Sequence, residues 1–197
     1  MATLILIVLI VAVTIAGFSS RTVVERTVLR PYQVARGKGY ATLISSGFVH
    51  ADLSHLLFNL ITFYSFGFRL ERVIGTTPFV VLYLAALLAS SLGTTFKHRN
   101  EPEYASLGAS GAILGILFAS IAYFPASKLI IFPLPIPLPA ALFAVGYLAF
   151  SYYSSRFSKG RVNHDAHIVG ALTGVAFVAI TDPQTLITAV RSVTGGG

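Results

Sequence analysis

The sequence predicts an all-α polytopic membrane protein, a bundle of six transmembrane helices, and three observations carry that expectation. Of its 197 residues, 55% are hydrophobic and only 11% charged, and the mean hydropathy of +0.78 lies outside the range of an ordinary soluble domain. Six apolar runs recur at 3–18, 53–68, 78–96, 105–124, 137–153 and 164–181, each near the length a helix needs to cross hydrocarbon. The charged residues collect in the connections between those runs.

The first run resembles a signal peptide in length, but no basic segment precedes it and no small-x-small cleavage site follows, so it is expected to be a spanning helix. A long basic connection, 19–49, leads to the second run, and a tight turn at 71–77 leads to the third. A polar connection at 97–103 precedes the fourth run. In the next connection, 125–135, prolines begin to alternate with apolar residues at 133, 135, 137 and 139. This pattern removes amide donors and predicts a stiff, polyproline-like entry to the fifth helix. The connection at 154–163 leads to the sixth run. Residues 1–190 are expected to form a single domain, followed by a short flexible tail, 191–197, that ends in three glycines.

The chain contains no cysteine, which excludes a disulfide framework and a thiolate metal site. The formal charge of +7 is spread over the connections, where it meets lipid head groups; no nucleic-acid partner is expected, and the bilayer itself is the expected surroundings. The sequence does not set an oligomeric state.

Two polar residues inside apolar runs suggest chemistry. Ser110 sits in Gly108-Ala109-Ser110-Gly111, and His167 is followed by Gly170 and Gly174. A hydroxyl and an imidazole in hydrocarbon must find partners or a hydrated cavity, because an unpaired buried polar group costs several kcal/mol. On helices, Gly108, Gly111 and Gly115 share the i, i+3, i+7 spacing of His167, Gly170 and Gly174, so each helix has a bare stripe along which backbones can approach closely. That approach brings Ser110 near His167, a nucleophile near a base.

In the second run, His55 and Asn59 stand at i, i+4 and can point donors at one spot, as a developing oxyanion requires. His50 is five steps of about 100° from His55, off that face, and is expected to brace the incoming loop. Asp52 or Ser54 can cap the helix. The four imidazoles of His50, His55, His164 and His167 also raise a metal site, but the His-Glu-x-x-His arrangement is absent and neither metal nor cofactor is expected. His98, between Lys97 and Arg99, reads as a solvated surface residue. Asp165, two residues before His167, points about 200° away and cannot readily orient it, so a two-residue dyad fits better than a triad; Asn163, one turn earlier, is a candidate to assist.

Together these motifs resemble the rhomboid intramembrane serine proteases. The resemblance covers about 41–182, with His50-x4-His55-x3-Asn59, Gly108-Ala109-Ser110-Gly111 and Ala166-His167-x2-Gly170-x3-Gly174 in family order. Glu71 with Gly67 and Gly75, and the proline-rich connection, match the family as well. The resemblance implies a rhomboid-like six-helix bundle that cleaves transmembrane segments of other proteins, with Ser110 as nucleophile and His167 as general base. It also implies an oxyanion hole made by His55, Asn59 and the Ser110 amide, with His50, Gly108, Gly111, Gly170 and Gly174 in support.

Two departures stand out. Ala41 and Thr42 occupy places where the family often has Trp-Arg, and Leu114 stands where an aromatic residue commonly packs on the base. The leading alternative is a non-catalytic member of the fold that binds membrane clients. A solute transporter would need broken helices or intramembrane charges that the sequence lacks.

The resemblance implies a bacterial-type cell membrane, with cytoplasmic termini and a site opening to the outside. That placement puts ten of the fourteen basic residues outside, against the positive-inside rule.

Overall fold

The computed structural model describes residues 1–131, 134–157 and 162–194, and it is mostly helical. Helix α1 (Ala2–Ser19) is followed by three short helices, α2 (Arg21–Thr27), α3 (Pro31–Val34) and α4 (Thr42–Ser45). Helices α5 (Leu53–Ile74), α6 (Thr76–His98) and α7 (Ser110–Tyr123) come next. A two-stranded hairpin, β1 (Lys128–Ile131) with β2 (Leu134–Pro139), precedes α8 (Ala140–Phe157), α9 (His164–Thr181) and α10 (Pro183–Thr194). Among the described residues, three helices are long and apolar enough to cross a membrane: α1, α6 and α9. Helices α5 and α8 are of comparable length but more polar, and α7 has 14 residues. Exposed apolar side chains such as Ile5, Val8, Ile61, Val145 and Ile180 stud the outer faces, as lipid contact requires.

Helix α7 is the axis of the molecule. Every residue from Gly111 to Ala122 is buried, in keeping with a helix that is apolar on all sides. It lies against α9, α6 and α5. Its partners replace the lipid that so short a helix, roughly 21 Å long, could not span.

Several boundaries differ from those the sequence predicts. Helix α5 continues six residues past the expected end because Glu71 is buried within the fold and not in a turn; the carboxylate accepts bonds from Ala2 N (2.6 Å), Thr3 N (2.9 Å), Thr3 Oγ1 (2.7 Å) and Thr76 Oγ1 (2.9 Å). Those amides are the unpaired donors at the start of α1, so one carboxylate ties three helices. The turn comes at Gly75, whose φ of +84° favours glycine, and Pro78 sits in the first turn of α6, where no amide donor is needed.

Helix α7 begins at Ser110, five residues later than the fourth apolar run. Gly108 is not helical: at φ +117° it forms the last bend before the helix, so the glycine stripe of α7 consists of Gly111 and Gly115.

The expected polyproline entry is a β-hairpin, with Lys128 opposite Pro139, Leu129 opposite Leu138 and Ile130 opposite Pro137. Residues two apart direct their amide positions to the same edge, so Pro137 and Pro139 can occupy places where the partner strand needs no donor. Pro133 lies outside the described residues. The helix α10 was not anticipated; it runs through Thr194, and the last three residues of the expected tail, 195–197, also lie outside the described residues.

Candidate functional site

The site is assembled from the first turns of three helices and the loop before α7. Asp52 caps α5: its Oδ1 accepts from Ser54 Oγ (2.6 Å) and His55 N (2.8 Å), and these bonds hold the exposed carboxyl below the ordinary aspartate range. That cap fixes the phase of His55 and Asn59. The His55 ring approaches Gly108 with its Cε1–Nε2 edge, where a Cβ would stand 2.6 Å from His55 Cε1; only glycine permits both the positive φ and this contact.

Ser110 is the first residue of α7, and His167 lies in the first turn of α9. Their helices touch through backbone. A Cβ on Gly170 would be 2.0 Å from the carbonyl oxygen of Gly111, and one on Gly174 would be 2.2 Å from that of Gly115. Toward α6, a Cβ on Gly111 would meet Ser90, and one on Gly115 would meet Ala86 at 2.5 Å. With α7 held this tightly between α6 and α9, Ser110 Oγ and His167 Nε2 are 2.8 Å apart.

The other imidazole nitrogen has a partner that sequence reasoning missed. Tyr147 of α8 places its hydroxyl 2.8 Å from His167 Nδ1, and the two rings stack at 6.3 Å with 25° between planes. With Ser110 donating to Nε2, the neutral ring carries its hydrogen on Nδ1 and donates it to the Tyr147 oxygen. Its only signal in the sequence was to be one of three tyrosines, with Tyr152 and Tyr153, within the fifth apolar run. Phe143 stacks on Tyr147 at 5.4 Å, and Phe118 stands at 6.2 Å. The aromatic ring beside the His167 imidazole therefore comes from α8, while Leu114 packs in the cluster around it.

Asp165 faces away and pairs with Lys97 of α6. Asn163 caps α9, its Oδ1 accepting from Ala166 N (3.1 Å), and its Nδ2 donates to Thr94 Oγ1 (2.9 Å) and Ser106 Oγ (3.1 Å). It thus steadies the helix that carries His167 and does not bond to the imidazole itself.

Asn59 is buried, and its Nδ2 donates to the His55 carbonyl (2.8 Å); an amide nitrogen has a second hydrogen, which this bond leaves over. His50, also buried, lies between Thr14 Oγ1 (3.1 Å) and the amide of Ala109 (3.3 Å), and its ring meets that of His55 edge-on at 4.9 Å. It therefore links α1 to the bend preceding Ser110.

The loop that lacks Trp-Arg is held by main chain instead. Leu29 pairs with Ser106 as an isolated bridge, Gly108 N donates to Ser46 O (2.8 Å), and Arg36 Nη1 donates to Arg99 O (3.0 Å). Thr42 Oγ1 closes its own turn on Gly39 O (2.6 Å). His98 is not freely solvated: it stacks on Tyr104 at 3.6 Å and bonds Glu101.

Ser110, His167, His55, Asn59 and Tyr147 line one cavity of about 670 Å³, walled by α5, α6, α7, α8 and the first turn of α9 and edged by Asp52, Ala105 and Val162 from the loops. This is the size of a ligand site, largely apolar with a few convergent polar groups. Among the described residues no cluster of histidines and carboxylates could hold a metal.

The rhomboid domain model matches residues 37–184. The chain is 30% identical over 151 residues to the mitochondrial rhomboid protein 1 of Saccharomyces cerevisiae, covering 71% of this chain and 42% of that protein. It is 31% identical over 146 residues to the human presenilin-associated rhomboid-like protein, also mitochondrial, covering 69% and 36% of the two chains. It is 37% identical over 84 residues to a putative rhomboid protease of Bacillus subtilis, covering 42% and 40%. The chain therefore spans about two fifths of the length of the curated relatives it matches. The apolar helices and these matches together mark an integral membrane protein, and the chain belongs to the rhomboid family.

Proposed function

We propose that the chain is an intramembrane serine endopeptidase that cleaves transmembrane segments of other membrane proteins with a Ser110–His167 dyad. The observation that supports this most is the 2.8 Å approach of Ser110 Oγ to His167 Nε2 at a cavity large enough to admit a peptide segment. His167 Nε2 takes the Ser110 proton as the alkoxide attacks a substrate carbonyl. The Tyr147 hydroxyl accepts from Nδ1–H and steadies the imidazolium that forms, the task a carboxylate performs in a three-membered triad. The developing oxyanion is received by the Ser110 amide, which has no acceptor one turn back in α7, and by the side chains of His55 and Asn59. Expulsion of the amine, protonated by His167, leaves an acyl-enzyme that water hydrolyses.

His50 and the glycines at 108, 111, 170 and 174 serve as supports. Residues 1–190 act as one domain in which α1, α5, α6, α7, α8 and α9 all cross the membrane. The cavity opens at the face where the loops before α5, α7 and α9 gather, and we place that face outside a bacterial-type cell membrane. Single cysteines at Ser20 and Thr76 should then be labelled from opposite sides. The intact Ser110–His167 bond favours an enzyme over a client-binding relative.

The test is cleavage of a panel of transmembrane substrates in proteoliposomes. Cleavage by the wild type that disappears with Ser110→Ala supports the proposal; undiminished cleavage by Ser110→Ala refutes it.

A further inference from the structure

At the end of the molecule opposite the dyad, a second cleft of about 350 Å³ lies between α5, the end of α7 and the start of β1. Its volume falls in the range of small-molecule sites, about 300–1,000 Å³. It contains two cations. Arg69 of α5 lies with its guanidinium 3.4 Å from the centre of the Phe124 ring and donates from Nη1 to Ser127 Oγ (3.1 Å), and Lys128 opens β1 beside it. A guanidinium has five N–H donors in a fixed plane, and the Ser127 bond uses one. Among the described residues, neither cation meets a carboxylate. The acidic groups at this end are engaged elsewhere: Glu71 with α1 and Thr76, and Asp182 with Thr185.

The remaining walls are mainly apolar, formed by Phe66, Ile121, Leu129 and Ile130, with Ser65 and Ser120 beside them. A cationic mouth on an apolar wall selects an anion that carries hydrocarbon, and a soluble anion gains nothing from that wall. The level fits as well. Arg69 is fourteen residues along α5 from His55, roughly 21 Å, which sets it near the opposite membrane interface. The amphipathic α10 lies against the same end of α7, with Ala189 buried and Ile187 and Val190 exposed, as a helix in the head-group plane would lie.

We propose that this cleft is a binding site for one anionic phospholipid, its phosphate held by Arg69 and Lys128 and an acyl chain laid against Phe66 and Leu129. The site is separate from the dyad and does not depend on proteolysis. Binding of a fluorescent-acyl phosphatidylglycerol to the purified full chain in neutral micelles tests it, with phosphatidylcholine as the neutral comparison.

The wild type should prefer phosphatidylglycerol. Arg69→Gln and Lys128→Gln should each weaken binding about fivefold, and the double variant about 25-fold. Arg69→Lys, which retains the charge, should keep most of the binding and guards against a folding defect. Arg99→Gln, at the other end, should change nothing, and millimolar inorganic phosphate should not compete. Equal binding of both lipids, wild-type affinity in the double variant, an equal loss in Arg99→Gln, or displacement by phosphate would each overturn the proposal.

Discussion

A serine hydroxyl is a poor nucleophile until a base takes its proton, and an imidazole is a useful base only when its second nitrogen is held in the right tautomer. Ser110, His167 and Tyr147 form such a chain through two contacts of 2.8 Å. Tyr147→Phe keeps the ring stack and removes one hydrogen bond, of about 1 kcal/mol, so kcat should fall about fivefold with KM little changed. Asn59→Ala removes a proposed oxyanion donor and should lower kcat about 10²–10³-fold. Steady-state kinetics on one transmembrane substrate checks both; an unaltered kcat in Asn59→Ala would remove that residue from the oxyanion hole.

Among the helices, the contact that matters most is α7 on α9. Gly170→Ala would push a methyl group to 2.0 Å from a backbone oxygen, and with backbone on both sides neither helix can yield cheaply. A loss of about 3 kcal/mol or more is expected, with the dyad pulled apart, read as a lower Tm in detergent together with lost activity. Glu71→Ala should cost about 2–3 kcal/mol by leaving the first amides of α1 without an acceptor. The Asp52 cap adds a pH dependence. Its folded-state pKa is depressed, so its support for α5 is full above the ordinary aspartate pKa and fades as pH falls through the lower folded value. Protection of the His55 and Leu56 amides, measured relative to their intrinsic exchange rates, should fall in that acid window, and Asp52→Asn should abolish the dependence.

The whole molecule shows which features a sequence can disclose. The α9 limits and the convergence of Ser110 on His167 were readable, because small residues at helical spacing report a close backbone approach. Tyr147 was not, since an aromatic residue in an apolar run carries no mark of the helix it faces. Glycine hid the start of α7, for Gly108 fits a helical stripe and a left-handed bend equally well until φ is known. Glu71 looked like a turn residue because its partners lie 68 and 69 positions away. The hairpin was hidden because alternating prolines suit both an extended single strand and the outer edge of a paired one.

The central claim is that the Ser110 hydroxyl is activated by His167. Reaction of the purified protein with a fluorophosphonate, followed by peptide mass mapping, tests it most directly. A single adduct on Ser110, absent from Ser110→Ala and strongly reduced in His167→Ala, is the predicted result. No adduct on the folded wild type, or equal labelling of the His167→Ala protein, would contradict it.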